Sequence, residues 1–442
     1  MRGEIDLARL RSRLAEVPLP RARGRIHAVV GVTIEAVGLK TRLGEVCLLH
    51  GIPDRFAAVA IVVGFHGETT CLMPVDDLRG LGPGTEVEPT GRSLSVAASP
   101  ALLGRVLDAL GRPIDGGPPL AALEPIPIHR DSPPPLSRPM IRHPLFTGVR
   151  SLDALLTVGK GQRLGIFSGS GVGKSTLLGM IARNALSDIN IIALVGERGR
   201  EVRHFLEEVL GRDGLARSVV VVATSDTPPV RRYLGALTAT ALAEYFRDQG
   251  RDVLFVMDSV TRFAAAQREI GLALGEPPTT KGYPPSTFAL LPRLVERLGP
   301  SPKGSITGMF TVLVEGDDLA DPIADTMRSL LDGHVVLSRE IANRGHYPPV
   351  DLLHSVSRVM PHITTEPHLQ DAIRFRELYA AYEQNRDLVE VGAYKAGTNP
   401  TLDRALERLP AMLHFLRQPA QTRAEPASTL AALAQAISEA RP

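Results

Sequence analysis

Two periods of apolar and polar residues divide the chain. From Arg25 to Ala36 every even position (Ile26, Ala28, Val30, Val32, Ile34, Ala36) is apolar, while Arg25, His27, Thr33 and Glu35 interrupt the odd ones. That alternation is the period of a half-buried strand. Similar short runs follow at "GEVCLL", "AAVAIVVGF" and "TTCLMP", separated by Gly, Pro and Asp turns, and they predict a small antiparallel β-barrel over residues 19–92. Upstream, "EIDLARLRSRLAEV" brings Ile5, Leu7, Leu10, Leu14 and Val17 near one helical face, and Pro18 and Pro20 end the pattern. Residues 1–18 are therefore expected to form an amphipathic helix, suited either to its own domain or to a partner or membrane contact.

From about Gly161 the period changes. Continuous apolar runs ("RLGIFSG", "NIIALVGE", "SVVVVATSD", "DVLFVMDS", "ITGMFTVLVEG") alternate with amphipathic helical stretches, the pattern of a mostly parallel sheet covered on both faces. A Pro-rich connector, "GGPPLAALEPIPIHRDSPPPLSRP", precedes it and favours an extended path. It is expected to be packed, because "GRVLDALGRPIDG" before it and "TGVRSLDALLTVGKGQRLGIF" after it read as elements of one domain. Residues 93–365 form that domain in this reading. After about residue 365 the strands stop, and "LQDAIRFRELYAAYEQNRDLVEVGAY" and "LDRALERLPAMLHFLRQ" predict a helical domain over 366–442.

Composition narrows the function classes. A length of 442 residues exceeds one ordinary core, so two or three domains are expected. Lys and Arg number 50 against 48 Asp and Glu, a near balance that argues against coating nucleic acid or an anionic membrane. Trp is absent and aromatic residues make up 4%, which disfavours base-stacking platforms. Cys47 and Cys71 lack metal or CxxC spacing and read as buried thiols of a reducing compartment. His27 and His66 read as strand-surface residues, since no second ligand stands at metal spacing. No apolar run nears the roughly 20 residues that span a bilayer, so a soluble, cytoplasmic chain is expected.

The chemistry centres on residues 168–176, "SGSGVGKST". A strand precedes them and an amphipathic helix, "TLLGMIARNAL", follows, the context that a phosphate-binding loop requires. Backbone N–H groups of Gly169, Ser170, Gly171, Val172 and Gly173 would face phosphate oxygens, with Thr176 in the first helical turn, Lys174 on the β and γ oxygens, and Ser175 on magnesium. Ser168 stands where the motif has its first glycine, at the start of the turn, where a small residue suffices. Hydrolysis further needs carboxylates. Asp258 ends the strand "DVLFVMD" and is a candidate for the metal shell; Glu197 follows "NIIALVG" and is a candidate to activate water.

Together "GSGVGKST", "GERGREV", "VMDSVTRFAAAQREI", "TKGYPPSTFALLPRLVERLG", "GDDLADPIADTMRSLLDGHVVLSR" and "GHYPPVDLLHSVSR" resemble the catalytic subunits of rotary-type ATPases. The short barrel and "VGAYKAGTNPTLDRAL" resemble, within that superfamily, the flagellum-specific export ATPases. Virulence-associated type III secretion ATPases stand next, distinguished by an acidic residue where Ala393 stands here.

The resemblance implies an α/β fold: a RecA-like P-loop NTPase core with a mostly parallel sheet, preceded by a small antiparallel β-barrel and followed by a C-terminal helical domain. It implies ATP and Mg2+ as substrate and cofactor, and a homohexamer with a nucleotide site at each interface. Arg358 would be an arginine finger inserted into the neighbour's site, Tyr347 would stack on adenine, and Arg198 would steady phosphate-site charge. Implied partners are a regulatory stator-like export protein at the N-terminus, a coiled-coil stalk protein in the ring, export-gate membrane proteins and chaperone–substrate complexes, with no nucleic acid. The implied location is the cytoplasmic side of the inner membrane at the flagellar base. Two other classes compete. A nucleic-acid translocase of the transcription-terminator type is disfavoured by charge and aromatic content. A non-catalytic nucleotide-binding subunit is disfavoured by Glu197.

Overall fold

A computed structural model describes residues 23–50, 58–76, 80–121, 123–314 and 320–438. The helix expected within residues 1–18 lies outside them. The chain divides into two compact units at Leu94/Ser95.

The first unit is a closed six-stranded antiparallel barrel made of β1 (Gly24–Val30), β2 (Thr33–Val37), β3 (Glu45–His50), β4 (Ala58–His66), β5 (Thr69–Pro74) and β6 (Glu86–Ser93), in the order β1-β2-β5-β4-β3-β6. Alternate residues turn inward, and Ile26, Ile34, Cys47, Leu49, Val62, Leu72 and Val87 fill the interior. Closure removes the sheet edges that would otherwise invite aggregation. The single strand expected from Arg25 to Ala36 is in fact the hairpin β1–β2. Gly31, at φ +59°, reverses the chain, and Val30 and Val32 beside it lie exposed at the tip. A register shift between Ile26 and Ala28 breaks the parity as well. His27 and His66 are exposed, and both cysteines are buried and unbridged.

The second unit is built on a nine-stranded sheet. Its strands are β7 (Val106–Asp108), β8 (Arg163–Ser168), β9 (Ile189–Val195), β10 (Ser218–Ala223), β11 (Asp252–Asp258), β12 (Ser305–Leu313), β13 (Gly333–Leu337) and β14 (Val350–Ser357), with the short Gly299–Pro300 pairing onto β12. The order across the sheet is β14-β13-β8-β12-β11-β9-β10-β7. From β7 to β13 neighbours are parallel, whereas β14 runs antiparallel to β13. Burial on both faces explains the unbroken apolar runs: all seven residues of β9 and all six of β10 are buried.

The Pro-rich connector is tied down. Glu124–Pro127 pairs with Ser95–Ala98, and Arg138 Nη1 donates to Leu298 O at 2.7 Å. Helices α1 (Lys174–Asn184), α2 (Pro229–Asp248) and α3 (Val260–Ala273) cross between strands. The chain ends in α4 (Glu366–Glu390), α5 (Pro400–Leu416) and α6 (Pro426–Ile437), whose Phe375, Phe415 and Ile437 join the same apolar core as Leu152 and Leu155. The helix α6 was not foreseen in the sequence.

Strand order positions the site. The chain leaves β8 through α1 and re-enters the sheet at β9, past β12 and β11, whereas β12 leads back to β13 on the other side of β8. A crevice at the carboxyl ends of the strands opens at such a reversal, and there ligands bind in open α/β sheets.

Candidate active site

Ser168 is the last residue of β8, paired in parallel with Leu313 and Leu337 and 2% exposed. Its φ is not positive, so this first position of the loop is strand and has no need of glycine. Gly171 (φ +77°) and Gly173 (φ +106°) are different: both occupy the left-handed region, which side chains resist, and Gly173 caps α1. Val172 is 2% exposed and anchors the loop in the core, leaving its backbone as the part able to face a ligand. Ser170, Ser175 and Thr176 are exposed around the rim. Ser170 O accepts from Arg339 Nη2 at 3.1 Å.

Parallel strands deliver their last residues to one edge. There Lys174 Nζ lies 2.5 Å from Asp258 Oδ1 and 3.8 Å from Glu197 Oε1. Asp258 is 3% exposed, and its Oδ1 also accepts from Thr311 Oγ1 at 2.8 Å. Glu197, 8% exposed, meets Arg262 Nη1 at 2.9 Å through Oε2, and the same guanidinium donates to Gly196 O. Arg262 is held in the first turn of α3, where its N–H donates to the capping Ser259. The buried Oε1 of Glu197 has no hydrogen-bond partner among the described residues.

Burial pushes the Glu197 carboxyl up to about 8, helped by the charge of Asp258 and a hydrogen bond with Glu201; Lys174 and Arg262 oppose the rise. Glu201 is shifted the opposite way, first because it accepts from Glu197.

Tyr347 comes to this edge from the start of β14. Its Cε1 lies 4.0 Å from where a β-carbon on Gly173 would stand, and its ring is half exposed, free to stack on a flat ligand. The main chain there is held from the C-terminal helices, since Gln418 N donates to Tyr347 O at 2.9 Å.

Two expected residues stand apart. Arg198 is exposed, pairs with Glu201 at 3.5 Å, and lines a cavity of about 240 Å3 with Arg262 and Arg232, so it does not meet Lys174. Arg358 follows β14. Because β14 is antiparallel, with Gly333 opposite Ser357 and Leu337 opposite Val350, Arg358 sits at the sheet edge opposite the glycine loop. About five strand residues, or roughly 15 Å, separate the two edges. No reach within one chain joins Arg358 to Lys174.

Thr311, Arg262 and Glu201 were missed in the sequence. Glu201 and Arg262 stand within "GERGREV" and "VMDSVTRF", four residues after Glu197 and Asp258 respectively; Thr311 is a polar residue inside an apolar strand.

The arrangement fits a triphosphate with magnesium. The loop offers amides and an ammonium, Gly171 has open space where a β-carbon would stand, and Glu197 Oε1 is an unsatisfied buried acceptor. Among the described residues no group of three His, Cys, Asp or Glu could hold a metal ion.

Comparison with known proteins gives a consistent pattern. Residues 26–91 match the ATP synthase alpha/beta family beta-barrel domain, residues 148–357 its nucleotide-binding domain, and residues 364–435 the T3SS EscN ATPase C-terminal domain. The chain is 53% identical to the flagellum-specific ATP synthase of Bacillus subtilis over 89% of its own length and 90% of the relative's. It is 51% identical to the type 3 secretion system ATPase of Xanthomonas euvesicatoria over 93% of each chain. Among solved structures, the assembled ATPase EscN in complex with its central stalk EscO, from enteropathogenic E. coli, superimposes with a TM-score of 0.87 at 42% identity, covering 94% of this chain and 100% of that one.

Proposed function

The chain belongs to the family of flagellum-specific ATP synthases and type III secretion system ATPases, and from that premise we propose that it hydrolyses ATP to drive or prime flagellar protein export. The observation that carries the reading is the convergence of Lys174, Asp258 and Glu197 beside a glycine loop at the carboxyl edge of a parallel sheet.

The loop amides and Lys174 bind the β- and γ-phosphates, Lys174 exchanging its contact with Asp258 for phosphate oxygen. Ser175 and Asp258 would hold a magnesium ion, which would neutralise charge on the phosphates. Thr311 fixes Asp258, and Arg262 fixes Glu197. With its proton lost to solvent, Glu197 orients a water through Oε1 and accepts a proton from it as the water oxygen bonds to the γ-phosphorus and the bond to the ADP oxygen breaks. Tyr347 stacks on the adenine ring. Arg198, in the cavity it lines with Arg262, steadies charge near the phosphate site.

Arg358 acts on a neighbour's site. A head-to-tail contact that closes into a homohexameric ring brings the far edge of one copy to the near edge of the next. The assembled state of the solved relative supports this, and its central stalk supports a coiled-coil stalk protein within the ring. A stator-like regulator at residues 1–18, export-gate membrane proteins and chaperone–substrate complexes complete the set of partners. Among the described residues no helix is long and apolar enough to cross a membrane, which suits attachment to the cytoplasmic face at the flagellar base. ATPase rate per chain measured against protein concentration tests the shared site: a steep rise on ring assembly is expected, and a constant rate across the assembly range refutes it.

The nearly equal identity to an injectisome ATPase supports a second reading, export by a virulence-type apparatus. Deleting the gene separates the two: loss of motility marks the flagellar system, loss of effector delivery with normal motility the other.

A further inference from the structure

We propose that Gln162 is a positioning residue for the reaction, fixing the main chain from which Arg358 projects; the proposal rests on the reading of Arg358 as the arginine shared between copies. Gln162 immediately precedes β8 and is fully buried, at 0% exposure. Its side-chain amide is fully committed. Oε1 accepts from Gly159 N at 2.8 Å, and Nε2 donates to Asp332 O at 3.1 Å and to Ser357 Oγ at 3.1 Å.

Both acceptors belong to the root of Arg358. Asp332 O also accepts from Arg358 N at 3.0 Å, so one carbonyl is shared between Gln162 and the arginine's own backbone. Ser357 is the preceding residue, and its hydroxyl goes on to donate to Thr157 O at 2.7 Å. Asp332 is itself clamped to Arg163, whose N and Nε donate to Asp332 Oδ2 at 2.9 and 3.0 Å. Among the described residues the guanidinium of Arg358 makes one long hydrogen bond, to Arg328 O at 3.4 Å, and is exposed.

A buried amide is costly unless it is hydrogen-bonded, and a fully satisfied buried network stiffens the segments it joins. Here the hydrogen bonds hold Ser357 and Asp332, the two points that fix where Arg358 begins. A group that must meet a developing charge on another molecule tolerates little displacement: about 1 Å at such a site costs on the order of 100-fold in rate. Gln162 thus acts through Arg358, and its loss lowers turnover without disturbing the phosphate loop of its own chain.

The test uses full-length rings and four variants. Gln162→Met keeps the volume and removes every hydrogen bond; kcat is expected to fall about 10- to 100-fold, with the affinity for ATP unchanged. Ser357→Ala, which removes one acceptor and leaves the buried amide in place, is expected to cause a smaller drop of the same kind. Mixing supplies the readout that a merely structural role would not move. Gln162→Met subunits mixed with Glu197→Gln subunits regain activity, because a sound arginine from the second meets a sound carboxylate in the first. Gln162→Met mixed with Arg358→Ala regains none. Arg358→Ala alone separates the two ideas. If it turns over like wild type, the shared-site reading fails. If it is inactive while Gln162→Met and Ser357→Ala both keep wild-type kcat, or if the Glu197→Gln mixture shows no rescue, the role of Gln162 is overturned.

Discussion

The two edges of the central sheet are built differently. At the near edge, polar and charged side chains from the ends of strands and from helices α1 and α3 are buried or partly buried and paired with one another: Lys174 with Asp258, Arg262 with Glu197, Thr311 with Asp258. At the far edge the main chain of Ser357 and Arg358 is held by buried hydrogen bonds, while the guanidinium is exposed and weakly held. The near edge has the form suited to a ligand bound by its own chain. The far edge has a fixed root and a free tip, the form suited to a group whose target lies in another molecule.

Separate substitutions at each edge should therefore fail in separate ways. Arg358→Ala carries the largest expected effect: kcat falls by about 10³ to 10⁵ while ATP binds with unchanged affinity, whereas Lys174→Ala loses binding and turnover together. Nucleotide titration beside steady-state kinetics checks this, and a parallel loss of affinity in Arg358→Ala would erase the distinction between the edges.

Glu197→Gln comes next, with ATP retained and kcat lowered by about 10² to 10⁴. Because the Glu197 carboxyl is raised to about 8 and must lose its proton to act, kcat/KM should climb with pH and level off above that value. A flat profile between pH 6 and 8 contradicts the assignment. The sign for stability is the reverse. A carboxyl raised from 4.5 to about 8 on folding holds its proton more tightly in the folded state, so its effect is to weaken the fold as pH rises through that window.

Thr311→Val should be mildest. It strips one hydrogen bond from Asp258 but leaves Lys174 in place, costing about 1 kcal/mol in denaturant unfolding. A much larger loss of turnover than of stability would move Thr311 into the reacting group.

Much of the near edge was legible in the chain. Continuous apolar strands imply parallel neighbours, parallel neighbours end on one side, and Asp258 and Glu197 each come at or just after such an end. Gly171 and Gly173 carried their own signal, since each adopts a backbone that side chains resist. Arg358 was legible only by resemblance, because nothing in "HSVSR" announces that β14 reverses direction. The β1–β2 hairpin was misread for a related reason: the alternation of Val30 and Val32 continues through Gly31, and parity alone does not record a turn. Thr311 gave only the faint sign of a polar residue in an apolar run, and Gln162 none, since it lies in what reads as a turn, "GKGQR". Partners distant in sequence decide what such residues do.

Strand β8 touches both edges. Arg163 at its start clamps Asp332, whose carbonyl receives Arg358, and Ser168 at its end opens into the loop that would grip phosphate. Six residues of strand, paired along their whole length on one side, thus lie between the proposed phosphate site and the carbonyl that fixes Arg358. A bulky or β-breaking substitution inside that strand should therefore damage the proposed phosphate site and the anchorage of Arg358 together.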